Sequence, residues 1–134
     1  MKRKQIILNS QEIKNKINRI AYSIIEGYHA EKSITIIGFE KNGYTIAEKI
    51  KNIIEDNHSI KIYLHKIKLK NKNEFSISPL LEKHELKNVF LVDDVLKSGK
   101  TIIYGIKEIL KHDIKNLKTI ILINRNHNQF PIGV

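Results

Sequence analysis

The chain has 134 residues, 41% of them hydrophobic and 28% charged, which suffices to fill the core of one domain spanning residues 1–134. It has no cysteine, which excludes a disulfide framework and a thiolate zinc site and suits a reducing cytoplasm. The net charge of +10 favours anionic partners, but the lysines are scattered through a chain rich in Lys, Ile and Asn, as an AT-rich genome would give.

In chain order, Met1-Lys2-Arg3-Lys4 is basic and Ile6-Ile7-Leu8 apolar. That apolar run is too short for a secretory signal, and no run reaches bilayer length, so a cytoplasmic protein without membrane contact is expected. Ser10 can cap a helix running to about Tyr28, with Ile13, Ile17, Ile20, Ala21, Ile24 and Ile25 on one face and Gly27 near its stop. Ile34-Thr35-Ile36-Ile37 reads as a buried strand ending at Gly38. A second helix follows from about Tyr44 to Glu55, with Ile46, Ala47, Ile50, Ile53 and Ile54 turned inward.

Ile60, Ile62 and Leu64 alternate with polar residues, as a half-buried strand does. The alternation then slips one place and resumes at Ile67 and Leu69, which predicts a bulge or bend near His65-Lys66. Lys70 to Glu74 reads as an exposed loop. Val89-Phe90-Leu91-Val92 has the continuous apolar character of a strand covered on both faces, and so has Ile120-Ile121-Leu122-Ile123. Between them a helix from about Thr101 would bury Ile102, Ile103, Ile106, Ile109 and Leu110. Alternating strands and helices predict an α/β fold with a mainly parallel central sheet flanked by helices. Ligands of such sheets sit beyond the strands' C-terminal ends, here Gly38 to Gly43, Asp93 to Thr101, and Asn124 onward.

The segment Val92-Asp93-Asp94-Val95-Leu96-Lys97-Ser98-Gly99-Lys100-Thr101 joins a strand, paired acids, a small polar loop and a helix start. The free N–H groups at the helix start, with its dipole, make an anion site at Ser98 to Thr101. Gly99 permits close backbone approach, and the Ser98 and Thr101 hydroxyls add donors. Asp93 and Asp94 would repel a phosphate but suit the hydroxyls of a diol. Phosphate at one end and diol at the other describe a ribose 5-phosphate. Two other readings compete. A P-loop would need Gly where Asp94 stands, and a plain strand-to-helix turn would leave the pairing of acids and glycine loop unaccounted for.

Val92 to Thr101 resembles the phosphoribosyl pyrophosphate (PRPP) motif of type I phosphoribosyltransferases, in particular the pyrimidine-operon attenuator/uracil phosphoribosyltransferase family. Ile7-Leu8-Asn9-Ser10 leading into Ile17 to Ala21 is similar to that family's opening. Ile37 to Gly43 is similar to its pyrophosphate loop, and Ile123 to His127 with Phe130-Pro131-Ile132 to its last core segment. The resemblance implies transfer of ribose 5-phosphate from PRPP to uracil or a related pyrimidine in pyrimidine salvage, with release of pyrophosphate. The alternative is a catalytically weak PRPP or nucleotide sensor, or an RNA-binding regulator, on the same fold. It implies that Asp93 and Asp94 serve the ribose and the chemistry, that Lys97, Ser98, Gly99, Lys100 and Thr101 cradle the 5-phosphate, and that Gly38, Phe39, Glu40, Lys41, Asn42 and Gly43 meet pyrophosphate. Arg125 and His127 are base-side candidates.

Mg²⁺ would arrive with PRPP, without a cage made by the protein alone. A homodimer and a nucleobase or nucleotide ligand are implied, RNA is not favoured, and DNA is not expected. The sequence departs from the family at Glu40, where a basic residue is usual, at Asn42, where an arginine is usual, and in a shorter Lys70 to Phe75 loop. It also stops at Gly133-Val134, where relatives continue toward the base pocket.

Overall fold

The two-sided apolar strands are explained by a sheet covered by helices from both sides. The computed structural model describes residues 10–72, 74–96 and 99–124. Its elements are α1 (Ser10–Tyr28), β1 (Ser33–Phe39), α2 (Asn42–Asn57), β2 (Lys61–Asn71), β3 (Glu74–Ser78), a 3₁₀ turn (Lys83–Glu85), β4 (Asn88–Leu96), α3 (Lys100–Ile109) and β5 (Asn116–Asn124). The sheet order is β3-β2-β1-β4-β5. β1 pairs in parallel with β2 and β4, and β4 with β5, whereas β3 is an antiparallel edge strand. The mainly parallel α/β reading therefore holds.

Ile17, Ala21 and Ile24 of α1 and Ile46, Ala47, Ile50 and Ile54 of α2 bury one face of the sheet, meeting Ile34, Ile36, Ile62, Phe90, Val92 and Leu122. Ile102 and Ile109 of α3 cover the other face, against Ile37, Phe39, Ile67, Val89 and Leu91. Strands β1 and β4 lie at the centre and alternate between the two cores, which accounts for their unbroken apolar runs. Glu55 joins helix to sheet: its carboxylate accepts the Ile62 N–H at 2.9 Å and the Lys51 ammonium at 3.0 Å.

Four expectations are corrected. The slip in alternation at His65-Lys66 is not a bulge, because β1 and β2 pair without interruption from Ser33↔Lys61 to Phe39↔Ile67. The apolar residues change face instead: Ile60 and Ile62 join the α1–α2 core, and Ile67 joins the α3 core. The irregularity lies further on, between Leu69 and Asn71, where β2 pairs with β3. The polar stretch from Lys70 is mostly strand, β2 reaching Asn71 and β3 starting at Glu74. Ile103 and Leu110 are 44% and 55% exposed, because α3 packs on the sheet through the face of Ile102, Gly105, Ile106 and Ile109. Finally, β5 is an edge strand among the described residues, and of Ile120 to Ile123 only Leu122 is buried.

Beneath the sheet, His65 is 1% exposed and Glu85 7%. His65 Nδ1 lies 2.6 Å from the Pro79 carbonyl, and Nε2 lies 3.0 Å from Glu85 Oε2. A carbonyl only accepts, so Nδ1 carries hydrogen, and a second hydrogen lies between Nε2 and the carboxyl group. Glu85 also accepts the Glu82 N–H at 2.8 Å, and its carbonyl accepts the Thr35 hydroxyl at 2.7 Å. These bonds pin the connection between β3 and β4 to β1 and β2.

Removing one partner of a buried pair leaves a polar group stranded, so Glu85→Ala is expected to cost about 3–5 kcal/mol of stability. Glu85→Gln should cost much less. Its amide can donate to an unprotonated Nε2 while its carbonyl accepts from Glu82. Urea unfolding of the two variants checks the order; equal losses would reject this account of the pair.

Candidate functional site

The sheet order places a topological switch point between β1 and β4, whose following helices leave for opposite faces. At the C-terminal end of β1 the chain turns through Glu40 and Lys41 into α2. The Glu40–Lys41 peptide is cis, and the Glu40 N–H donates to the Ile67 carbonyl at 2.9 Å. Two glycines bring this turn against the sheet. A Cβ on Gly38 would stand 2.5 Å from Tyr44 Cα, and one on Gly43 would stand 2.5 Å from the Val92 carbonyl oxygen. Both lie below any real contact distance, so the first turn of α2 rests directly on the backbone of β1 and β4.

That approach sets Asn42 over β4. Its side-chain amide donates to Asp94 Oδ2 at 2.9 Å. The Val95 N–H donates to Asp94 Oδ1 at 2.8 Å, and the Asp94 N–H donates to Asp93 Oδ1 at 2.8 Å. Burial opposes ionisation of Asp94, but hydrogen bonds from the side chains of Asn42 and Asp93 and from the backbone at the strand end outweigh it and hold the carboxyl below its ordinary value.

Beside Asp94 lies a cleft of about 280 Å³, lined by Ile13, Asn42, Thr45, Ile46, Asp94, Val95, Leu122 and Ile123. An apolar floor with a carboxylate and two neutral polar groups at one wall suits a small ligand that presents hydroxyls. Across the sheet end, Gly99 has φ of 84°, a left-handed conformation at the residue preceding α3. A β-branched residue there would be strained. The helix then opens with Lys100 and Thr101, both exposed, its first N–H groups lacking intrahelical partners.

The predicted residues divide. Asp93, Asp94, Gly99, Lys100, Thr101 and the Gly38–Gly43 segment converge on the C-terminal ends of β1 and β4. Asp93 and Asp94 belong to β4 itself, which runs on to Leu96. Within the turn, Phe39 is buried in the α3 core against Phe75 and Gly105, so its side chain serves packing. Glu40 is exposed. Asn42, expected to face pyrophosphate, has its side chain committed to Asp94. Lys97, Ser98, Arg125 and His127 lie outside the described residues. Ile13, expected to pack in the core, and Val95 of the PRPP-like segment also line the cleft, together with Thr45, which was not singled out. Only Thr45 carries a local signal, one helical turn beyond Asn42 on the face that meets the strand ends.

Comparison with known proteins agrees with this geometry. The family described as the phosphoribosyl transferase domain matches residues 4–133. A relative from Clostridium acetobutylicum, the bifunctional protein PyrR, is 31% identical over 98% of this chain and 80% of its own length. Among solved structures, a purine phosphoribosyltransferase from Pyrococcus horikoshii is similar with a TM-score of 0.63 at 28% identity, covering 86% of this chain and 74% of that one. A hypoxanthine-guanine phosphoribosyltransferase from Bacillus anthracis has a TM-score of 0.72 at 16% identity, covering 96% of this chain and 76% of that one, a likeness of fold. The chain belongs to the phosphoribosyl transferase domain family, on the branch of the PyrR proteins.

Proposed function

We propose that this protein transfers ribose 5-phosphate from PRPP to uracil or a related pyrimidine, releasing pyrophosphate. The observation that carries the reading is the convergence of three features at one switch point. These are the paired acids at the end of β4, Asn42 fixing Asp94, and the left-handed Gly99 opening α3. Asp93 and Asp94 accept from the ribose hydroxyls, and the Lys97–Thr101 segment binds the 5-phosphate with backbone N–H groups. The backbone of the Gly38–Gly43 turn faces the departing pyrophosphate, and within that turn Lys41 is the available cation, with Glu40 opposing it. The sugar passes through an oxocarbenium-like state, so positioning and stabilisation of the leaving group carry the rate.

Among the described residues no three groups converge as a metal cage. Asp93 and Asp94 are hard oxygen donors at one strand end. They fit an Mg²⁺ ion that takes most of its ligands from phosphate oxygens and water. When bound with PRPP, the ion would offset the charge of the diphosphate. Arg125 and His127, which follow β5 in sequence, are assigned to the base. A cytoplasmic homodimer belongs to the same reading, and no described helix is long and apolar enough to cross a membrane.

A second reading, a regulator that binds a nucleotide or RNA with weak catalysis, is favoured by exposed Glu40 in the turn assigned to pyrophosphate and by the relatives' bifunctional description. Uracil-dependent release of pyrophosphate from PRPP separates the two. Release supports transfer, whereas PRPP binding without release supports the sensor.

Asp93→Asn with Asp94→Asn should weaken PRPP binding by about tenfold or more, since charge-assisted bonds to the diol are lost. The domain should stay folded, because both side chains stand at a strand end rather than in a core; the melting temperature falls only by the share that the stabilised Asp94 charge contributes. Calorimetric titration with PRPP and Mg²⁺ checks this, and unchanged affinity would remove the ribose assignment.

The lowered Asp94 pKa gives a pH test. A depressed carboxyl favours the folded, ionised form above the ordinary carboxylate range, and the benefit is lost as pH falls through the lowered value. Asn42→Ala removes one of the bonds that lower it. The acid limb of PRPP binding is therefore expected to move to higher pH in that variant, as followed by titration across the acid range.

A further inference from the structure

The face of the sheet covered by α1 and α2 changes chemistry along β2. Ile60, Ile62 and Leu64 pack in that core, and the next residue on the same face is Lys66. The register places Lys66 beside Gly38, and Gly38 beside Val92, whose next same-face neighbour is Asp94. The Lys66 ammonium stands 4.7 Å from the centre of the Tyr44 ring. Tyr44 is in the first turn of α2, and its Cα is the atom that a Cβ on Gly38 would strike. Lys66 is thus held against the far side of the turn whose near side touches Asp94. Lys68 continues the same face, flanking Ile67, whose carbonyl accepts the Glu40 N–H.

This arrangement bears on an imbalance in the turn. Glu40 and Lys41 cancel, and Asn42 is neutral, so the turn itself offers a diphosphate no net positive charge. Lys66 is half-buried and makes no ion pair among the described residues. Its ammonium rests on an aromatic face, a contact weaker than a charge-assisted bond to phosphate. A four-carbon stem lets it exchange one for the other.

We propose that Lys66 supplies the cation for the pyrophosphate group of PRPP, delivered from β2 rather than from the turn. Lys68, next in sequence to the Ile67 carbonyl that accepts the Glu40 N–H, offsets the charge of Glu40. The inference rests on the phosphoribosyltransferase reading and adds a binding residue to it.

The test uses the full chain with Mg²⁺ and three probes in calorimetry: inorganic pyrophosphate, PRPP and ribose 5-phosphate. Lys66→Met keeps the stem and removes the charge, whereas Lys66→Arg keeps the charge. The expected result is a loss of about tenfold or more for pyrophosphate and PRPP in Lys66→Met. Ribose 5-phosphate should stay within about twofold, and Lys66→Arg should restore most of the affinity. Wild-type pyrophosphate affinity in Lys66→Met overturns the proposal. So does an equal loss of all three probes with a lowered melting temperature, which marks Lys66 as a packing residue on Tyr44. A wild-type protein that binds none of the probes overturns the phosphoribosyltransferase reading itself and this inference with it. That outcome differs from binding in the wild type that Lys66→Met leaves untouched.

Discussion

Everything at the strand ends depends on the absence of two side chains. Gly38 and Gly43 let the start of α2 lie on the backbone of β1 and β4, with the Val92 carbonyl where a Cβ of residue 43 would be. Close packing of this sort tolerates no intermediate: one methyl group would lift the helix from the strand. With the helix seated, Asn42 reaches Asp94, and the Asp94 carboxylate acquires a fixed orientation and a stabilised charge. The site is therefore a product of main-chain contact first and of side-chain chemistry second.

The rest of the fold supplies rigidity to that contact. β1 is the central strand and β4 its neighbour, each buried on both faces, so their ends are fixed by both cores. The connection between β3 and β4 is held by His65, Glu85 and Thr35, which ties the start of β4 to β1 and β2 from below. Neither device touches the cleft. Both restrict where Asp93 and Asp94 can stand.

Much of this was legible in the sequence where one physical signal acted alone. The helical period of Ile13 to Ile25 gave α1 from Ser10 to Tyr28, and the continuous run Val89 to Val92 marked a central strand. The acid pair before Lys97-Ser98-Gly99-Lys100-Thr101 pointed to the end of β4, where Asn42 reaches Asp94. Less was legible where composition blurred the signal. In a chain this rich in isoleucine, an Ile at a surface position such as Ile103 looks like core. Strand β3 hid in a polar stretch because an edge hairpin needs little apolar surface. The slip at His65-Lys66 was real, but its cause was a change of covered face along an unbroken strand. Asn42 and Asp94 are 52 residues apart in sequence, and no local pattern announces a contact that two glycines create.

The outer side of β5, the sheet margin among the described residues, carries one more consequence. An apolar strand at the margin of a sheet is a template on which a second chain can add itself, and natural proteins discourage this with lysines. Here Lys16 crosses from α1 to donate to the Leu122 carbonyl at 2.9 Å, and Lys118, exposed on the strand, leans over Tyr28. An incoming strand would have to strip a charged donor from the main chain and approach a second cation. The abundance of lysine that says so little about partners thus has a local use, as a guard against unwanted sheet growth.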